Sequence, residues 1–314
     1  MPAELTRSEM GEPRPGDGSQ RPGSPPTDRV VAVIELLATQ HEPSSVASIA
    51  SRLELNRSTA TSILLALENA GWVTRQADRR YTLGAGLIAV ADAVHQAFPV
   101  SAEINHELEE LARRAGCGAT LAWVGSTDMT FLASVPGRRK MPAGVTVGLR
   151  LPVGAPACAA VIAHRDLPER REWLATAKPD DRDILEDVLS QIQSTHVAVY
   201  GLGESDPKVL DLLGEVADLL AENPQRTSLR RRMFKLFGEL APIPYTAEQL
   251  ASKQPLSIGY LAAAVFADGK ASYELQLGPL LPAVGRSERE RYISEIRATA
   301  DKLSSGANTL HRKR

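Results

Sequence analysis

The sequence predicts an α+β chain: a small helical unit that closes with a hairpin, then a larger half built from a sheet and helices. Three observations predict it. Between Thr27 and Gly84, apolar residues recur at helical spacing three times and are followed by two short β-prone runs. From Ala119 onward, strand-like runs alternate with amphipathic helical ones, the pattern of a sheet with helices on its faces. A chain of 314 residues is too long for one average domain and suits two.

Composition narrows the function classes. Hydrophobic residues at 43% and charged residues at 24% are ordinary for a globular protein. Aromatics are only 4%, so aliphatic burial supplies most of the driving force. The net charge of −2 excludes a uniformly basic coat and leaves local basic patches open. Two cysteines, Cys117 and Cys158, cannot make a disulfide framework or a four-cysteine zinc site. No apolar run approaches the roughly 18 to 20 residues of a membrane span, and the N-terminus has no hydrophobic signal core. A cytoplasmic setting is expected.

Residues 1–26 are rich in Pro, Gly and Ser without apolar periodicity, which predicts a disordered arm. Thr27 is placed to cap a first helix carrying Val30, Val31, Val33, Ile34, Leu36 and Leu37, apolar enough to be largely buried, that ends at His41-Glu42-Pro43. Ser44 or Ser45 caps a short second helix with Val46, Ile49 and Leu53. After a tight turn at Glu54-Leu55, Asn56 caps a third helix from Arg57 to about Ala70, with Ile63, Leu64 and Leu67 facing inward. Gly71 stops it where a left-handed residue is usual. The runs Trp72–Arg75 and Arg80–Leu83, joined by Gln76-Ala77-Asp78-Arg79, then read as a β-hairpin.

Helix, helix, turn, helix and hairpin in that order make a winged helix-turn-helix over residues 27–84. Its third helix starts with one arginine among small hydroxyl side chains, a combination that enters a major groove about 12 Å wide. Candidate DNA contacts are Ser45, Arg57, Ser58, Thr59, Thr61 and Ser62, with Arg75, Arg79 and Arg80 on the wing set for phosphate or minor groove. Six basic residues in this unit meet six acidic ones, so its positive charge concentrates at the third helix start and the wing.

The runs Arg29-Val30-Val31-Ala32-Val33-Ile34-Glu35-Leu36-Leu37, Ser48-Ile49-Ala50-Ser51-Arg52-Leu53 and Asn56-Arg57-Ser58-Thr59-Ala60 resemble the IclR family of bacterial transcription regulators. So do Leu67-Glu68-Asn69-Ala70-Gly71-Trp72-Val73 and Tyr81-Thr82-Leu83-Gly84. The resemblance implies a linker helix over 85–98, with Leu87, Ile88, Val90 and Val94 packing on a partner or the next domain. It also implies a GAF-like α/β effector-binding domain over 99–308, double-stranded operator DNA as partner, and a homodimer or dimer of dimers.

In the second half a helix runs from about Val100 to Ala115 on Ile104, Leu108 and Leu111, before strands at 119–124 and 129–135. Arg138-Arg139-Lys140 reads as a basic loop. Leu256 to Leu277 forms two strands about Ala267-Asp268-Gly269-Lys270, and a last helix spans Ser287 to about Leu303. Between these lies a helical insertion at 206–254 with no counterpart in the family. Asp206-Pro207 starts one helix, Thr227 caps another, and Thr246-Ala247-Glu248-Gln249 is a capping box.

By the same resemblance, the small residues of Gly154-Ala155-Pro156-Ala157-Cys158-Ala159-Ala160 lead into a pocket-lining helix, although Ala160 replaces a usual lysine. Tyr200 takes an acidic position, Tyr260 one often held by cysteine, and Leu275 and Leu277 two serine positions. That places Ala157, Cys158, Tyr200, Tyr260, Leu275 and Leu277 around an apolar pocket for a small apolar or aromatic effector. The same departures fit a domain that has lost its ligand and serves oligomerisation or partner docking.

No catalytic set, cofactor or metal site is expected. The six histidines lack ligand spacing, and Gly201-Leu202-Gly203 lacks the third glycine of a dinucleotide loop. Cys158 at a helix start has no adjacent His or Asp to activate it. A regulator is expected, with an effector-domain enzyme as the remaining alternative.

Overall fold

The computed structural model describes residues 24–40, 42–97, 102–137, 147–201, 216, 242–278, 280 and 283–311. The bulk of the expected arm, the basic run at 138–140 and the insertion helices at 206–241 lie outside these, residue 216 apart. The capping box is formed: Thr246 Oγ1 accepts from Gln249 N–H, and Gln249 Oε1 from Thr246 N–H.

The N-terminal unit is α1 (Pro25–Ala38), α2 (Val46–Arg52), α3 (Arg57–Asn69), β1 (Val73–Arg75) and β2 (Tyr81–Leu83). Helix α1 starts earlier than expected. Ser24 is its N-cap residue, not Thr27, and Pro25-Pro26 occupy its first positions, where a missing N–H and a fixed φ cost nothing. Proline composition thus disguised a helix start as part of the arm. The helix is also less buried than expected. Only Val33, Leu36 and Leu37 enter the core, and Val31 stays 47% exposed. These three pack with Ile49, Leu53, Ile63, Leu64, Leu67, Val73 and Tyr81. Ser44 pairs with Tyr81 through two backbone hydrogen bonds of 2.9 and 2.8 Å, adding a third segment to the hairpin edge. Helix α4 (Leu87–Ala97) follows, with Ile88, Val90 and Val94 exposed.

The second half contains α5 (Ala102–Ala115), β3 (Gly118–Val124), β4 (Asp128–Val135), β5 (Arg150–Pro152), α6 (Ala159–Ile162), α7 (Leu167–Ala175), α8 (Arg182–Thr195) and β6 (Val197–Gly201). It continues with α9 (Ala247–Ala251), β7 (Ile258–Ala267), β8 (Lys270–Gly278) and α10 (Arg286–His311), a last helix longer than the apolar pattern suggested. Six strands form one antiparallel sheet in the order β5-β4-β3-β8-β7-β6.

Both faces of the sheet are covered. On one, Leu108 and Leu111 of α5 and Tyr292, Ile296 and Leu303 of α10 pack on Val197, Val199, Leu261, Leu275 and Leu277. On the other, α6, Trp173 of α7 and Leu185, Leu189 and Ile192 of α8 pack on Ala122, Ala198, Ala262 and Ala264. Strand alternation sends successive residues to opposite faces, so β8 delivers leucines to the first layer and Glu274 and Gln276 to the second. Among the described residues no helix is long and apolar enough to cross a membrane.

Candidate nucleic-acid interface and a buried polar site

The turn before α3 is built locally. Leu53 closes α2, Glu54 takes a left-handed φ of 51°, and Leu55 N–H donates to Ala50 O at 2.8 Å. Ser45 caps α2 by accepting from Ser48 N–H at 3.2 Å, which leaves its own hydroxyl proton to donate outward. On α3, burial of Ala60, Ile63, Leu64 and Leu67 fixes one face inward. At 100° per residue the opposite face carries Arg57, Ser58, Thr61 and Ser62, all exposed. Thr59 sits on the flank, half-buried, and Thr61 Oγ1 donates to Arg57 O at 2.8 Å, leaving its lone pairs outward.

Two features of this face oppose its own stability. Arg57 stands in the first turn of α3, where the helix dipole disfavours a cation by about 0.3–1 kcal/mol. Leu65 is 55% exposed in the middle of the polar stripe, one turn beyond Thr61. Leu65 is not among the candidate DNA contacts drawn from the sequence. A helical wheel fixed on Ile63, Leu64 and Leu67 would have found it.

The wing is held next to α3 because the chain crosses itself closely. Gly71 holds φ 71° after α3, Gly84 N–H donates to Trp72 O at 2.7 Å, and Gly86 N–H to Gly71 O at 2.8 Å. A Cβ on Gly84 would lie 2.3 Å from Gly71 O. All three wing arginines are exposed, but they are not equivalent. Arg80 is tied to Asp78, with Nε 3.5 Å from Oδ2 and its N–H donating to Oδ1 at 3.0 Å. Arg75 lies 6.0 Å over the Tyr81 ring, and Arg79 occupies the tip at φ 65°.

In the second half, four of the six expected pocket residues come together and two do not. Cys158 adopts a left-handed φ of 63° at the start of α6, with its Sγ 3.3 Å from Met129 Sδ. Tyr200 donates its hydroxyl to Pro156 O at 3.1 Å and accepts from Ala159 N–H at 3.3 Å, so Ala157 and Cys158 lie in the loop that it braces. Tyr260 pairs with Tyr200 across β6 and β7, the rings stacked at 4.3 Å and 9°. Leu275 and Leu277 lie on the opposite face, under α5 and α10. They cannot line this site. The β8 residues on the tyrosine side are offset by one from the two leucines expected there.

The residues of β8 on the tyrosine side are Glu274 and Gln276. Glu274 is 1% exposed and pairs with Ala122 and Ala264 in the sheet centre. Gln276 Nε2 donates to its Oε1 at 2.8 Å, and Gln276 Oε1 accepts from Thr120 Oγ1 at 3.4 Å. Its Oε2 is buried with no hydrogen-bond partner among the described residues. Burial pushes the Glu274 carboxyl up to about 7, against the lowering effect of the Gln276 hydrogen bond. Burial, and then the Glu274 charge, push the Cys158 thiol up, which makes it a neutral packing group and no nucleophile. Tyr200 and Tyr260 are also raised, first by burial. Elsewhere His164 and His196, distant in sequence, stack at 5.2 Å, yet no group of three or more metal-ligating side chains occurs among the described residues.

Comparison with known proteins bears on both halves. Residues 26–77 match the model of the IclR helix-turn-helix domain. No curated protein matches the chain. Three solved structures share its fold along nearly their whole length. The Thermotoga maritima IclR structure is 18% identical, with 90% of this chain and 98% of that one covered, at a TM-score of 0.55. An IclR transcriptional regulator from Alicyclobacillus acidocaldarius is 21% identical, covering 91% and 99%, also at 0.55. An IclR homologue from Microbacterium hydrocarbonoxydans, complexed with 4-hydroxybenzoate, is 18% identical, covering 90% and 99%, at 0.56. The chain therefore carries an IclR helix-turn-helix domain at residues 26–77 and has, along its length, the fold of the IclR-family transcription regulators.

Proposed function

We propose that the chain is a sequence-specific, cytoplasmic DNA-binding transcription regulator whose operator affinity answers to a small ligand in its second half. The observation that carries this is the polar stripe of α3 set beside an arginine-bearing wing. A cation at a helix N-terminus and a bare leucine amid hydroxyls both cost stability, and both are explained by a groove. Arg57 is the candidate for guanine, Ser58, Thr61 and Ser62 for mixed base and phosphate contacts, and Leu65 for a thymine methyl. Thr59, on the flank, is positioned for the phosphate rail. Arg75 and Arg79 hold phosphate or minor groove, Arg80 less strongly because Asp78 already engages it, and Ser45 donates to phosphate from the start of α2.

Exposed Ile88, Val90 and Val94 on α4 support assembly through that helix as a homodimer or dimer of dimers. Half-sites would then repeat at about 34 to 36 Å or multiples of it. Ligand response is supported by the Microbacterium relative, which was solved with 4-hydroxybenzoate. In this chain the ligand site is Ala157, Cys158, Tyr200 and Tyr260, with Glu274 and Gln276 replacing the two leucines first assigned to it. The test is selection of bound duplexes from a randomised library. A motif recovered by the wild type and degraded at one position by Arg57→Ala supports the assignment. An unchanged motif in that variant removes Arg57 from base reading.

A further inference from the structure

The floor of the ligand site holds a buried polar atom without a partner among the described residues. Tyr200 is bonded to Pro156 O and Ala159 N–H, and Gln276 to Glu274 and Thr120. Glu274 Oε2 is left, buried and without a partner among the described residues, in the same layer as both tyrosines and Cys158. A buried acceptor without a donor is costly, and a charged one more so. Such a group is retained where something supplies the donor. An anion brings no donor, and it repels the ionised form of the carboxyl in a low-dielectric site. The buried Arg165 guanidinium is committed to Glu169 Oε1 at 2.7 Å, Val124 O and Ala271 O.

Resting on the ligand-responsive reading above, we infer that the site takes a small ligand presenting a protonated amine, with Glu274 Oε2 as its partner and the tyrosine rings as its apolar wall. Residues 153–157 and Tyr260 are the half-buried members of this layer, so a ligand would enter on their side. A carboxyl already raised to about 7 by burial gains most from a cation that restores its ionised form. Amine affinity therefore falls about tenfold per pH unit below about 7. The titratable groups beside Glu274 do not confuse this: Cys158, Tyr200 and Tyr260 stay neutral there, since burial raises all three.

The experiment titrates the full-length chain calorimetrically with three probes on one ring: 4-hydroxybenzylamine, 4-hydroxybenzyl alcohol and 4-hydroxybenzoate. The expected result is an amine at least about tenfold tighter than the carboxylate, the value of one hydrogen bond to a charged group. Glu274→Gln should abolish that preference, and Tyr260→Phe should keep it. The ranking among probes needs no variant, so a misfolded Glu274→Gln protein leaves the test intact. Carboxylate binding as tight as the amine, no amine binding up to about 10 mM, or an amine preference surviving in a folded Glu274→Gln variant overturns the inference. Operator binding is read separately. Amine binding that leaves DNA affinity unchanged upholds this ligand assignment and sinks the regulatory reading instead.

Discussion

Replacing Glu274 by glutamine should raise stability above neutral pH and flatten its pH dependence. The folded-state carboxyl sits at about 7 against an ordinary 4.5, because burial disfavours its charge. The folded state therefore holds this proton more tightly than the unfolded chain. Below about 4.5 both states are protonated and the residue imposes no penalty. As pH rises through the interval to about 7 the stability is lost, at no more than about 1.4 kcal/mol per pH unit. Over the whole interval this amounts to about 3 kcal/mol. Cys158, Tyr200 and Tyr260 do not titrate in that window, since burial raises all three. The assay is urea unfolding followed by tryptophan fluorescence at about pH 5, 6, 7 and 8, Trp173 reporting from the same layer. The gap between variant and wild type should widen by about 2.5 kcal/mol from the acid to the alkaline end. Parallel curves would refute the claim that Glu274 is buried with its charge uncompensated.

Other consequences are sharper at the DNA face. Arg57→Ala should cost about 1 to 3 kcal/mol on the preferred duplex and relax preference at one base position, read by competitive gel shift. Leu65→Ala should lower discrimination for thymine over uracil at its contact position, with little change in salt dependence. Removing Arg75 and Arg79 together should weaken binding to every duplex and shrink the salt slope by about 0.9 per lost phosphate contact, while Arg80→Ala changes it less. Gly84→Ala sets a Cβ 2.3 Å from Gly71 O, so the wing should lose about 1 to 3 kcal/mol of stability, visible in unfolding reported by Trp72.

Much of the first half was legible because its signals are local. Ser45 caps α2, Gly71 ends α3, and the turn 76–79 joins two strands; each is decided by neighbours within a few positions. The start of α1 was hidden because Pro25-Pro26 read equally as arm and as helix entry. In the sheet, alternation along β8 is local but the meaning of each face is not. Which side meets α6 depends on long-range pairing, such as that of Glu274 with Ala122, more than a hundred positions earlier. A lone glutamate between apolar neighbours reads as a solvent face. It became the most buried carboxyl of the site only because helices cover both sides of the sheet.

The central claim is that α3 and the wing read a particular DNA sequence. Its most direct test is capture of sheared genomic fragments by the full-length chain at several salt concentrations, with binding constants for enriched and random duplexes. The expected result is a small set of fragments bound about a thousandfold or more tighter than random DNA, a ratio that survives as salt weakens both. Equal affinity for enriched and random duplexes at every salt concentration would contradict it.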